Sequence, residues 1–94
     1  MTNNEVLNLT AGTKIRGYSN SRSTDYTITE VWKTARCTNE QSRCFGHACA
    51  QVSAKPPYGG LCELSIESDE YITGDGYLTH NAHGRRLTGW EIVA

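Results

Sequence analysis

The stretch CAQVSAKPPYGGLCELSIES, residues 49–68, carries the pattern that decides the fold. Apolar and polar residues alternate through 49–55 and again through 61–68, which is the period of a β-strand with one buried face. The segment between them, PPYGG (56–60), is typical of a tight turn, because proline restricts φ and glycine accepts positive φ. Residues 49–68 therefore predict a β-hairpin whose apolar face, ending at Ile66, points into the core.

Further β-segments lie on both sides of this hairpin. Residues 13–18 and 26–37 are rich in Thr, Ile, Val, Tyr and Trp, and WEIVA (90–94) predicts a closing strand. YSNSRSTD (18–25) has no apolar residue after its tyrosine and predicts a long polar loop. Residues 3–9 can form one helical turn at most. These segments together predict an all-β protein.

The opening LTAGTKIRGY (9–18) resembles the entry strand of SH3-like barrels, in which a leucine and a Gly-Thr turn precede the first strand. The order of long loop, long strand, hairpin and tight turn is also similar to that class. We therefore expect one domain over 1–94: a five- to six-stranded, strongly bent antiparallel sheet or an SH3-like barrel. In this prediction, 1–12 is an N-terminal extension and 13–94 forms the barrel.

A second resemblance lies in CELSIESDEYITGDGYLTHN (62–81), which is similar to the C-terminal blocks of inteins and other Hint domains. That resemblance assigns His80 and Asn81 to cyclisation of the asparagine and cleavage of the chain. The chain lacks the initial Cys or Ser of that family, and Ala82 follows Asn81 where splicing needs Cys, Ser or Thr. We accordingly predict no self-processing and no enzyme.

Composition limits the classes of protein further. The 94 residues are 37% hydrophobic, which indicates a small core that a partner, a metal or a second copy in a homodimer could complete. The first ten residues have no basic or apolar signal region, and no run is long enough to span a membrane. We expect a cytoplasmic protein without membrane contact, whose thiols are kept reduced.

Four cysteines and a histidine form the strongest chemical pattern: Cys37, Cys44, His47, Cys49 and Cys62. Zinc binds four such ligands in a tetrahedron, but only Cys44 and His47 have the usual spacing of two residues. If the strands on both sides pair, Cys37 and Cys49 lie opposite each other, which permits a zinc site or a disulfide. The third interpretation, which we favour, is that Cys49 and Cys62 are small packing residues and that no cofactor is bound.

The charge distribution is asymmetric although the net charge is −1. Residues 1–60 hold seven basic side chains and four acidic ones, whereas 61–94 hold two and six. Such a chain can pair with another copy, but it is less suited to general polyanion binding. A nucleic-acid-binding barrel that uses a basic face around Lys14, Arg16 and Arg22 is an alternative function.

The preferred prediction is a noncatalytic binding or adaptor module for a protein partner. It presents strand edges and loops, in the manner of a phage or mobile-element accessory protein. Tyrosine and arginine are frequent contact residues because they combine large area with polar groups. The predicted contact residues are Arg16, Tyr18, Arg22, Tyr58 and Tyr77. Trp32 and Trp90 are expected in the core or an interface.

Overall fold

The computed structural model describes residues 1–19, 22–41, 45–72, 78–80 and 88–93. The elements are α1 Asn3–Leu7, β1 Lys14–Ser19, β2 Arg22–Arg36, β3 Ala48–Lys55, β4 Cys62–Glu67, β5 Glu70–Ile72, β6 Leu78–His80 and β7 Thr88–Ile92.

Five strands form one antiparallel sheet in the order β4-β3-β2-β1-β7, while β5 and β6 pair separately. The all-β prediction is confirmed. The sheet is strongly curved: it brings some Cα atoms of its two edge strands, β4 and β7, within 8 Å of each other. Within the described ranges no ladder joins those edges, so the protein has a bent open sheet and not a closed barrel.

The β3–β4 hairpin forms as its alternation predicts. Ala50 pairs with Ile66, and both side chains are completely buried, while Glu67 is exposed on the other face. Along β3, completely buried residues alternate strictly with more exposed ones. The completely buried residues, which form the inward face, are Ala48, Ala50, Val52 and Ala54. Because three of the four are alanines, the inner face leaves space for another element to approach.

The helix α1 lies against this face, with Cα atoms within 8 Å of those of β3. Thr2 and Glu5 form a capping box, in which each side chain accepts a hydrogen bond from the other residue's backbone amide. Met1, Val6 and Leu9 are buried in the core. The segment 1–12 therefore supplies core side chains as well as the entry to β1. No helix of the described ranges is long and apolar enough to cross a membrane.

The prediction of a long polar loop over 18–25 is wrong. Tyr18 pairs with Ser23 and Arg16 pairs with Asp25, so most of the segment forms the end of a β1–β2 hairpin. The side chains at 22–25 are all exposed. A strand pair that extends beyond the core needs no apolar face, and the alternation that marks buried strands is therefore missing.

At the other side of β1, Gly17 pairs with Trp90 of β7. The Trp90 ring lies directly over the glycine and also contacts the Tyr26 ring, with centroids 5.9 Å apart and planes inclined by 52°. Trp90 thus belongs to the margin of the core, as predicted. Trp32 is 51% exposed and does not belong to the core.

Candidate functional site

An open groove follows the outward face of β1 and β2 beside the β3–β4 turn. It consists of two adjoining hollows of about 450 and 330 Å³, which share Asp25 and Pro57. The residues around the two hollows are Lys14, Arg16, Ser23, Thr24, Asp25, Tyr26, Thr27, Thr29, Lys55, Pro56, Pro57, Tyr58 and Val93.

Strand alternation places the polar residues of the groove. Ile15 is completely buried on the inner face of β1, so its neighbours Lys14 and Arg16 point outward. The register then pairs Lys14 with Thr27, and Thr27 with Lys55. These three residues form a row across β1, β2 and β3.

Arg16 organises the next row. Its guanidinium donates two hydrogen bonds to the Asp25 carboxylate, from Nε to Oδ1 at 2.7 Å and from Nη2 to Oδ2 at 3.2 Å. A third nitrogen lies 3.8 Å from a carboxylate oxygen of Glu91, which also accepts a hydrogen bond from the Tyr18 hydroxyl. The hydrogen bonds from Arg16 lower the pKa of Asp25 below its ordinary value of 3.8.

The turn at 56–60 forms one wall of the groove. Pro56 and Pro57 restrict the backbone as it leaves β3, and Gly59 has φ of +113°, which favours glycine. Between them Tyr58 is 92% exposed. Because Pro56, Pro57 and Gly59 restrict the backbone that carries this ring, the backbone of the turn loses little conformational entropy when the ring makes a contact.

Three of the predicted contact residues lie at or beside this groove, although they are distant in sequence. Arg16 and Tyr58 line the same hollow, and Tyr18 lies next to Arg16 on the outward face. Arg22 does not share that face, because it alternates with Ser23, which pairs with Tyr18. Tyr77 lies outside the described residues.

The predicted cysteine cluster is not assembled as its spacing indicated. Cys37 lies opposite His47, with a backbone hydrogen bond of 2.8 Å, whereas Cys49 pairs with Ala35. The expected pairing of Cys37 with Cys49 is therefore wrong by two residues. Both are free thiols, as is Cys62.

The register also removes Cys62 from the cluster. Cys49 pairs with Glu67 at one end of the β3–β4 hairpin and Cys62 with Ala54 at the other, a separation of about 17 Å along the strands. The His47 ring nitrogen Nε2 lies 2.9 Å from the backbone oxygen of Ser68. Within the described ranges no three His, Cys, Asp or Glu side chains could share a metal ion, and Cys44 lies outside them.

The packing interpretation of the cysteines holds only in part. Cys49 and Cys62 are both half-buried. Cys49 lies on the outward face of β3, between the buried Ala48 and Ala50, whereas Cys62 pairs with the buried Ala54 and lies on the inward face of β4. The Cys62 thiol lies 3.4 Å from the Ala54 backbone oxygen, to which it donates a weak hydrogen bond. Neither thiol belongs to the fully buried core.

The sequence pattern alone does not indicate Lys55, Pro57 and Asp25 as site residues. The signal for Asp25 was an acid at the end of a polar segment, opposite a basic strand. The signal for Pro57 was its position beside Tyr58 in a turn. Both needed the register of β1, β2 and β3 before they could be placed against Arg16.

No known protein family matches the chain, and no curated protein or solved structure is significantly similar to it. Of the pair predicted from the intein resemblance, His80 ends β6 and Asn81 lies outside the described residues. The groove is therefore the feature of the described residues from which a function can be inferred.

Proposed function

We propose that this protein is a noncatalytic module that binds a protein partner through the groove between the β1–β2 face and the turn at 56–60. The observation that carries the proposal is that Arg16 and Tyr58, predicted separately as contact residues, line one hollow. Arginine and tyrosine are enriched among residues that dominate binding energy. We further propose that it acts in the cytoplasm as an accessory protein, and that a second copy is the alternative partner.

The chemistry of the groove favours binding over catalysis. A general base needs a pKa near the working pH, whereas Arg16 lowers the pKa of the Asp25 carboxyl, so that this group remains ionised and weakly basic. Among the described residues around the groove there is neither a histidine nor a cysteine. What remains is a combination of cations, hydroxyls, prolines and an exposed aromatic ring.

The nucleic-acid alternative has less support. A phosphate that approached Arg16 would compete with Asp25, which already accepts two hydrogen bonds from the guanidinium, and with the nearby Glu91 carboxylate. Arg22 lies on the other face of the hairpin and cannot extend the same basic surface. A zinc-stabilised module has no group of ligands within the described ranges.

The proposal is tested by site-specific photocrosslinking in the source cells. A photoreactive phenylalanine at position 58 should give a discrete adduct with one protein, because that ring is almost fully exposed beside the groove. The same residue at position 67, exposed on β4, is the matched control. Equal adduct patterns from both positions, or adducts from position 67 alone, would refute a binding site in the groove.

A further inference from the structure

One end of the groove holds two lysines that the fold brings together. Lys14 and Lys55 flank Thr27 in adjacent strands, so their Cα atoms lie two strand spacings apart, about 10 Å. Both side chains are exposed. Because a lysine ammonium ends a flexible four-carbon chain, both ammonium groups can reach one anion over the half-buried threonine.

These lysines differ from the arginine in the next row. Within the described ranges neither ammonium has a carboxylate oxygen within 4.0 Å, whereas the Arg16 guanidinium has Asp25 and Glu91. The Asp25 carboxylate borders the same hollow, but its two oxygens already accept hydrogen bonds from Arg16. A local excess of positive charge therefore remains at the Lys14 end.

Apolar surface lies directly beside this charge. Pro56, Pro57 and Val93 line the hollow together with the two lysines. Val93 is exposed, and its backbone amide donates a hydrogen bond of 2.9 Å to the Lys14 carbonyl, which holds it next to that lysine. A ligand that matches both features needs a carboxylate and a neighbouring apolar group.

We propose that the partner enters the groove as an extended acidic peptide segment, with an Asp or Glu carboxylate between Lys14 and Lys55 and an apolar residue against Pro57. This inference rests on the proposed function and specifies the class of partner. A short ligand with one or two charges fits better than a polyanion, because a longer run of phosphates would next meet Asp25 and Glu91, which already neutralise Arg16.

The experiment selects ligands without knowledge of the natural partner. Random twelve-residue peptides displayed on phage are enriched on the full chain, and synthetic copies of the enriched peptides are measured by fluorescence anisotropy. Asp or Glu next to an aromatic residue or proline should be enriched. The double variant Lys14→Gln/Lys55→Gln should bind these peptides about tenfold more weakly, which corresponds to about 1.4 kcal/mol, because it removes both ammonium groups that face the peptide carboxylate.

Two controls make the result specific. Lys33→Gln removes an exposed lysine from the other half of β2, outside the groove, and should leave the affinity unchanged. An amide in place of the peptide's carboxylate should weaken binding to the wild type, but have little further effect on the double variant. Such non-additivity identifies a direct interaction.

Other outcomes would overturn the inference in distinguishable ways. Peptides without acid enrichment that require Tyr58 would refute the acidic ligand and leave the groove as a binding site. A fluorescein-labelled single-stranded oligonucleotide that binds more tightly than every selected peptide would indicate nucleic acid. A dimer in sedimentation that dissociates in the double variant would show that another copy fills the groove. Failure to enrich any peptide would also refute the acidic-peptide ligand, whereas the proposed function itself is tested separately by the crosslinking experiment.

Discussion

The substitution Gly17→Ala tests how β7 is held against β1. A Cβ atom at position 17 would lie 2.7 Å from Cζ3, 3.0 Å from Cη2 and 3.1 Å from Cε3 of Trp90. Distances this short require the indole ring to move, and the ring is packed against Tyr26 and the core. Overpacking of this kind costs about 1–3 kcal/mol.

An opposing effect has to be subtracted. Alanine in a strand interior is favoured over glycine by about 0.5–1 kcal/mol, because glycine loses more backbone entropy on folding. The net loss in free energy of unfolding should therefore be about 1 kcal/mol, within a range of about 0–2.5 kcal/mol, and each kcal/mol lowers the Tm of a domain of this size by about 4–8 °C. Urea unfolding followed by far-UV circular dichroism measures the change.

The sign of the effect should reverse when the ring is removed. In the background Trp90→Val, the Cβ atom at position 17 no longer meets the indole, so Gly17→Ala should stabilise the protein by about 0.5–1 kcal/mol. If Gly17→Ala has the same effect in both backgrounds, the indole does not pack on that glycine and the assigned β1–β7 register is wrong.

Three further predictions concern the cap, the ion pair and a buried polar group. Thr2→Ala should lower the free energy of unfolding by about 1 kcal/mol through loss of the capping box, whereas Thr2→Ser should preserve it; equal stabilities of all three would contradict the cap. Asp25 has a lowered pKa in the folded state, so its contribution to stability is complete above the unfolded value and is lost as the pH falls through the folded value. The stability difference between wild type and Asp25→Asn should consequently shrink below pH 3.8, and a difference that does not change with pH would exclude the Arg16 contact. Asn3→Ala removes the side-chain oxygen that accepts from the buried Ala48 amide at 3.1 Å. Because Ser68 Oγ, 3.3 Å away, still accepts from that amide, the loss in urea unfolding should be about 0.5–1.5 kcal/mol; an unchanged midpoint would show that the Asn3 hydrogen bond does not stabilise α1 against β3.

Much of the sheet could be predicted because its inner face is periodic. The strict alternation in β3 and the residues up to Ile66 in β4 identify both strands and their buried side. The hairpin at 18–25 could not be predicted in this way, because it extends beyond the core and has polar residues on both faces. The role of α1 was also hidden, since a helix of five residues gives too few positions to show a period.

The candidate site also has features that the sequence predicts and features that depend on the fold. Residue type alone indicates Arg16 and Tyr58 as candidate contact residues, because exposed arginine and tyrosine near turns are typical of contacts, and both line one hollow in the structure. Their proximity, and the row from Lys14 to Lys55, depends on strand register, which the sequence pattern does not specify across long connections. The misplacement of Cys37 by two residues has the same cause, since an even shift keeps every side chain on its predicted face.

The most direct test of binding in the groove is a titration of the ¹⁵N-labelled protein, in which the chemical-shift change of each backbone amide is mapped. The ligand added is a selected peptide or a fragment of the partner that crosslinking identifies. If the partner binds in the groove, the largest changes occur at Lys14, Thr27, Lys55 and Tyr58, and the amides of β4 change little. Changes concentrated along β4 or around Cys37, with the groove amides unchanged, would show that this protein binds its partner through a different surface.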